Sequence, residues 1–320
     1  MNNFKKIGLS ALAGSLVAFS ANAGSLSASG SASLTFSNAW DESLTHEGNQ
    51  WTMGDSVTFT GSGEMDNGMT ISVSYELDGD AADSGSELDS HSMTLDTNGM
   101  GTITFAGHGG SSAMSAIDDV TPNAYEESWD VVTGADTGTL VGGVAGNNMF
   151  TYKSPDLGGA TITVAYINAS DAITDVSYMD FAIAADIAAV DGLSVGFGMA
   201  ETEEVTGTVI DDSTMYAKYT YGSMTVGYQI SESDGPTSAT DIDFTAAGIT
   251  YAVTDDFTIG YSTSESDKAS DSDVQEATAI GASYTTGGIT VAGSMNSVDN
   301  VGYDASADRD GYEFNISFAF

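Results

Sequence analysis

Apolar and polar residues alternate one for one along most of this chain, and that period of two restricts the fold more than any other feature. A β-strand turns successive side chains to opposite faces, so strict alternation marks strands with one apolar and one polar side. The last residues show it plainly. Tyr312, Phe314, Ile316, Phe318 and Phe320 fall on one side, and Glu313, Asn315, Ser317 and Ala319 on the other. The same rhythm sets Leu193, Val195, Phe197 and Met199, then Met224, Val226, Tyr228 and Ile230, then Phe257, Ile259 and Tyr261, against Ser, Thr, Gly and Gln. Sixteen such segments are predicted between residues 25 and 320, and helical periodicity is almost absent.

The connections carry a second pattern, because short and long ones alternate. Short ones include Asn98-Gly99, Asp191-Gly192, Tyr221-Gly222, Thr254-Asp255 and Gly287-Gly288, several of them pairs that suit tight hairpins. Long ones cover 38–50, 78–87, 108–147, 169–175, 201–212, 233–240, 266–274 and 297–310, and are polar and acidic. A soluble sandwich has no reason to alternate loop lengths so regularly. An antiparallel 16-stranded transmembrane β-barrel does, with short periplasmic turns on one rim and long external loops on the other. Closure also removes every unpaired edge, which hydrocarbon does not tolerate. The apolar side of each strand is then expected to meet lipid, and the Ser/Thr/Gly side water. Tyr75, Tyr152, Tyr166, Tyr219, Tyr221, Tyr228, Tyr251, Tyr261 and Tyr284 fall near strand ends or on the apolar side, where tyrosine suits a membrane boundary.

Export is written at the start. Lys5 and Lys6 precede an apolar run from Ile7 to Phe19, and Ala21-Asn22-Ala23 is a small-x-small cleavage site. Residues 1–23 are therefore expected to be a signal peptide, and residues 24–320 one barrel domain. The full chain carries 46 acids against six Lys and Arg, a formal charge of −40. Removing a segment with two lysines and no acid takes it to −42. Such a chain attracts cations and leaves nothing to neutralise phosphates, which excludes nucleic acid as a partner. There is no cysteine, so disulfides and thiolate chemistry are absent.

Three stretches resemble the general, trimeric-type porins of Gram-negative outer membranes. Gly311–Phe320 is similar to the family's C-terminal strand, an assembly signal ending in phenylalanine; here Tyr312, Phe314, Ile316, Phe318 and Phe320 carry it. Gly101–His108 resembles the family's fifth strand, just before its pore-constricting third loop. Tyr152–Gly159 resembles the strand and turn that come after that loop. The resemblance implies a homotrimer in outer-membrane lipid, passing small hydrophilic solutes and ions without a cofactor. It also implies that residues 108–147 fold into the barrel and narrow it. Asp118, Asp119, Glu126, Glu127, Asp130 and Asp136 would then form the acidic side of the constriction. The family usually sets arginines opposite. This chain departs from that: His108 stands where the family often has an arginine, and Asp55–Gly61 has no base. Lys153 and Lys218 have lumen-facing parity, while Lys268 and Arg309 fall in expected loops. The expectation is a cation-preferring diffusion channel.

Catalysis is not expected. His46, His91 and His108 are the only histidines, and no nucleophile elbow, phosphate loop or zinc-binding helix occurs. Acids cluster at Asp78, Asp80 and Asp83, which suits weak screening by divalent ions rather than a defined metal site. The alternative to a channel is a secreted adhesin or surface-layer protein made of soluble β-sandwiches, whose apolar faces would point into a dry core.

Overall fold

The computed structural model describes residues 24–39, 50–78, 88–132, 134–135, 143–168, 176–203 and 207–320. The expected signal peptide lies outside them. Sixteen antiparallel strands form a closed barrel. They are β1 (Leu26–Ala39), β2 (Gln50–Glu64), β3 (Thr70–Asp78), β4 (Ser90–Asp96), β5 (Thr102–His108), β6 (Met149–Lys153), β7 (Ala160–Ile167) and β8 (Ser177–Asp186). The second half comprises β9 (Leu193–Glu203), β10 (Val209–Tyr221), β11 (Met224–Asp234), β12 (Ile242–Ala252), β13 (Phe257–Lys268), β14 (Gln275–Thr286), β15 (Ile289–Asp299) and β16 (Arg309–Ala319). Each strand pairs with the next in the chain, and β16 returns to β1. The seam is backed by a reciprocal pair of backbone bonds between Gly30 and Phe320, each 2.9 Å. Among the described residues no helix is long and apolar enough to cross a membrane.

Burial is inverted relative to a soluble protein. On β12 to β16 the large apolar side chains Ile249, Ile259, Ile280, Phe314, Ile316 and Phe318 are exposed on the outside. On the inward face of β11 and β13, Gln229, Ser231, Ser262, Ser264 and Ser266 are buried. In water each exposed aliphatic or aromatic side chain forgoes about 1.5–3 kcal/mol of burial, so a wall of them is tenable only against hydrocarbon. This inversion removes the soluble sandwich, whose apolar faces turn inward.

The short connections take the expected form. Gly287 and Gly288 have φ of 59° and 82°, and Thr286 pairs directly with Ile289, which makes a two-residue hairpin in the left-handed region. Several strands run further at the other rim than alternation suggested. β9 reaches Glu203, β10 starts at Val209, β13 runs to Lys268 and β16 starts at Arg309. Ladder bonds are made by the backbone, so pairing continues into polar sequence where the facial pattern has already ended.

The chain leaves the wall after β5 by a local device. His91 pairs with His108 but Ser92 pairs with Ala106, so Gly107 is an extra residue and a β-bulge. Gly109, two residues on, has φ of 67°. A bulge bends its strand and redirects the chain beyond it. Here Gly110–Ser111 turns away to form a separate two-stranded sheet with Ala145–Gly146.

Candidate functional site

The described residues between those two short strands, 112–132, 134–135 and 143–144, lie against the lumenal side of the wall. Two apolar anchors hold it. At the first, a 3₁₀ turn at Met114–Ala116 brings Ala113, Met114 and Ile117 into a buried cluster with Met149, Ala165, Tyr178 and Ala182. At the second, Trp129, Val132 and Ala135 bury against Phe244, Ala246, Ala277 and Val298. The Trp129 and Phe244 rings meet edge to face, 5.2 Å apart at 86°. Burying an indole this completely contributes several kcal/mol.

Polar groups of the wall bond to the backbone that these anchors bring near. Asp180 on β8, almost wholly buried, accepts from the Met114 N–H at 2.7 Å and the Tyr178 hydroxyl at 2.9 Å. Gln229 on β11 donates to the Asp118 carbonyl and accepts from the Val120 N–H at 3.3 Å. Gln275 donates to the Ala135 carbonyl and Asn296 to the Glu127 carbonyl, both at 2.6 Å. Ser128 and Ser264 pair at 2.9 Å, and the Tyr125 hydroxyl donates to Glu313 on β16. An irregular segment inside a barrel needs partners of this kind for its backbone.

The expected acids fall along this segment. Asp118 is buried, and its Oδ2 accepts from the Gly143 N–H at 2.8 Å. Asp119 and Glu127 line a lumenal cavity of about 510 Å³ together with Lys218 of β10. Carboxylate oxygens of Glu126, Glu127 and Asp130 all lie within 4.8 Å of one another. Asp136 lies outside the described residues. Lys153 shares the inward register of Met149 on β6 but does not line that cavity. Of the external acids, Asp78 ends β3, and Asp80 and Asp83 lie outside the described residues.

Burial and crowding set the charge on these acids. Burial, with Asp119 and Asp180 nearby, lifts Asp118 to about 6. Burial, then the charges of Asp130 and Glu313, lifts Glu126 to about 7. Glu127 and Asp119 are raised as well, first by burial and then by carboxylate neighbours. Like charges this close cannot all ionise at once.

Two bases differ from expectation. Lys268 and Arg309, expected in loops, are the terminal residues of β13 and β16, because the ladder outlasts the alternation. Both share the inward register. Lys268 pairs with Asp271 at 3.4 Å, and the Arg309 guanidinium comes close to Gly134 of the inner segment.

This closed antiparallel barrel fold has counterparts among solved structures. The family described as Gram-negative porin matches residues 8–279. This chain belongs to the Gram-negative porin family. The match and the fold identify an outer-membrane porin channel. No curated protein matches the sequence. A variant of the Rhodopseudomonas blastica porin is 18% identical with a TM-score of 0.69, over 92% of this chain and 100% of its own. An anion-selective porin from Comamonas acidovorans is 16% identical, also with a TM-score of 0.69, over 92% and 99%. OmpT, an outer membrane protein of Vibrio cholerae, is 12% identical with the same score, over 92% and 97%.

Alternation alone missed the residues of the porin wall that grip the segment. Phe244 and Tyr178 are inward and buried, against the rule that apolar side chains face lipid. The signal was present as a break in pattern. Phe244 lies between Asp243 and Thr245 on a strand whose outward residues further on are Ile249 and Tyr251, so its parity is wrong for the lipid face.

Proposed function

We propose that residues 108–147 narrow the lumen of this porin and that their carboxylates make it prefer cations. One observation carries this reading: the segment sets the carboxylates of Glu126, Glu127 and Asp130 within 4.8 Å of one another beside a lumenal cavity lined by Asp119, Glu127 and one ammonium, Lys218, so acid outweighs base even with Glu127 protonated. Selectivity in a wide pore is set by the charge of its narrowest lining. The fold leaves the sign open, since an anion-selective porin shares it; the excess of carboxylates along the segment favours cations. Reversal potentials of the purified protein in a planar bilayer, under a tenfold KCl gradient at pH 8, test the sign. A potential of the sign for anion preference overturns the selectivity reading.

We propose likewise that residues 1–23 are removed on export, that three copies assemble in the outer membrane, and that Tyr312, Phe314, Ile316, Phe318 and Phe320 direct that assembly. Small hydrophilic solutes diffuse through without a cofactor. Migration in SDS with and without heating tests the trimer.

A further inference from the structure

The middle of the inner segment crosses four adjacent strands, and at each crossing the inward wall residue is glycine. Gly227 of β11 faces the Pro122 ring, Gly248 of β12 the Pro122 backbone, Gly260 of β13 the Ala124 backbone, and Gly281 of β14 the Tyr125 and Ala124 positions. The four form a track. Gly227 pairs with Gly248 and Gly260 pairs with Gly281, while β12 and β13 are offset by two residues, with Thr250 opposite Gly260. A stepwise offset is what a segment running obliquely to the strands needs.

We propose that this glycine track is the seat that sets how far the segment stands out from the wall, and therefore the width of the pore. It rests on the reading of residues 108–147 as the constriction. None of the four glycines has φ in the left-handed region, so backbone conformation does not demand them. Glycine in a strand interior is otherwise unfavourable, which leaves close approach of another backbone as the reason. The space is already used. A Cβ on Gly248 would overlap the Pro122 carbonyl oxygen, and one on Gly260 would lie 2.8 Å from the Ala124 nitrogen. On Gly281 the nearest atom, the Tyr125 nitrogen, is at 3.4 Å, which is ordinary contact. The glycines are thus positioning residues of graded strictness, and the segment yields more readily than a strand bonded on both sides.

Because the chain has no cysteine, two introduced ones label it uniquely. Spin labels at N123C on the segment and S223C in the β10–β11 turn report the stand-off by electron–electron distance, and single-channel conductance reports the width. G260A must open 2.8 Å to about 3.4 Å, and G248V must open more. The expected result is a shift in the label distance that grows from G281A through G260A to G248V, with conductance falling roughly 1.5-fold or more for G248V. If G248V does not fold, G260A against G281A carries the comparison alone. Unchanged distances, or G281A moving the label as far as G260A, overturn the seat. A shifted label with unchanged conductance leaves the seat standing and overturns the constriction reading on which the pore-width claim rests.

Discussion

Trp129→Ala should release one end of the inner segment while leaving the barrel intact. The indole is 2% exposed and packs edge-on against Phe244, with Val132, Ala135, Ala246 and Val298 around it. Truncating a buried Trp costs about 3–5 kcal/mol. At roughly 1.4 kcal/mol per tenfold, local opening at this anchor should become about a hundred- to several-thousand-fold more frequent. The remaining local ties are Asn296 to the Glu127 carbonyl, Gln275 to the Ala135 carbonyl and Ser128 with Ser264. Each contributes about 0.5–1.5 kcal/mol in the parent as well, so none of them offsets the loss. No strand–strand bond passes through Trp129, because the ladders run between neighbouring wall strands. Amide hydrogen exchange in detergent reads both parts at once. The Ala135 amide, bonded to the Val132 carbonyl, should lose most of its protection, while amides of the β11–β12 ladder keep theirs. Equal loss across the ladder would show that the segment is part of the barrel's own cooperative unit, and unchanged Ala135 protection would show that the indole is not the anchor.

Acid should favour the seated segment and weaken cation preference together. The pKa values of Asp118, Glu126 and Glu127 are all raised above the ordinary carboxylate range by burial. Stability from such groups is complete below their ordinary values and is lost as pH climbs through the raised ones. Between pH 5 and 8, where Asp118 (about 6) and Glu126 (about 7) ionise, both the cation-to-anion permeability ratio and proteolysis within 108–147 should rise; a ratio flat across that range would refute it. Lys218→Gln removes the ammonium from the acid-lined cavity and should increase cation preference, more at low salt than at high; an unchanged reversal potential at low salt would place Lys218 outside the selectivity path. Asp180→Asn keeps one acceptor oxygen for the Met114 N–H but sets its amide nitrogen against the Ala165 N–H, which the other oxygen accepts at 3.0 Å; it should still cost less than Asp180→Ala, which orphans both buried amides at about 1–3 kcal/mol each. Exchange protection of the Met114 amide in the two variants checks that order.

The barrel was legible in the sequence because each strand answers the same two solvents. Val226 and Tyr228 face hydrocarbon and Gly227 and Gln229 face the interior, whatever lies elsewhere in the chain. Local alternation therefore encodes the face, and short against long connections encode the rim. The inward position of Lys218 was legible from parity for that reason, while the acids of 108–147 were singled out by their place in the longest connection. Strand ends at the external rim were legible less well: polarity stops alternating there, while backbone pairing continues through Glu201, paired with Asp211, on β9 and β10.

The inner segment breaks this local code, because it brings a third environment to positions far away in sequence. Phe244 is apolar on the wet side since Trp129, more than a hundred residues earlier, arrives to cover it. Gly248 and Gly260 carry no side chain since the backbone of Pro122 and Ala124 occupies that space. Read along their own strands, these residues are only a misplaced aromatic and two weak strand formers. Their meaning lies in a pairing between one loop and the inner faces of β11 to β14 that no window of alternation spans. Substitutions at these wall positions, remote in sequence from every acid of residues 108–147, should therefore alter conductance as strongly as substitutions in the segment itself.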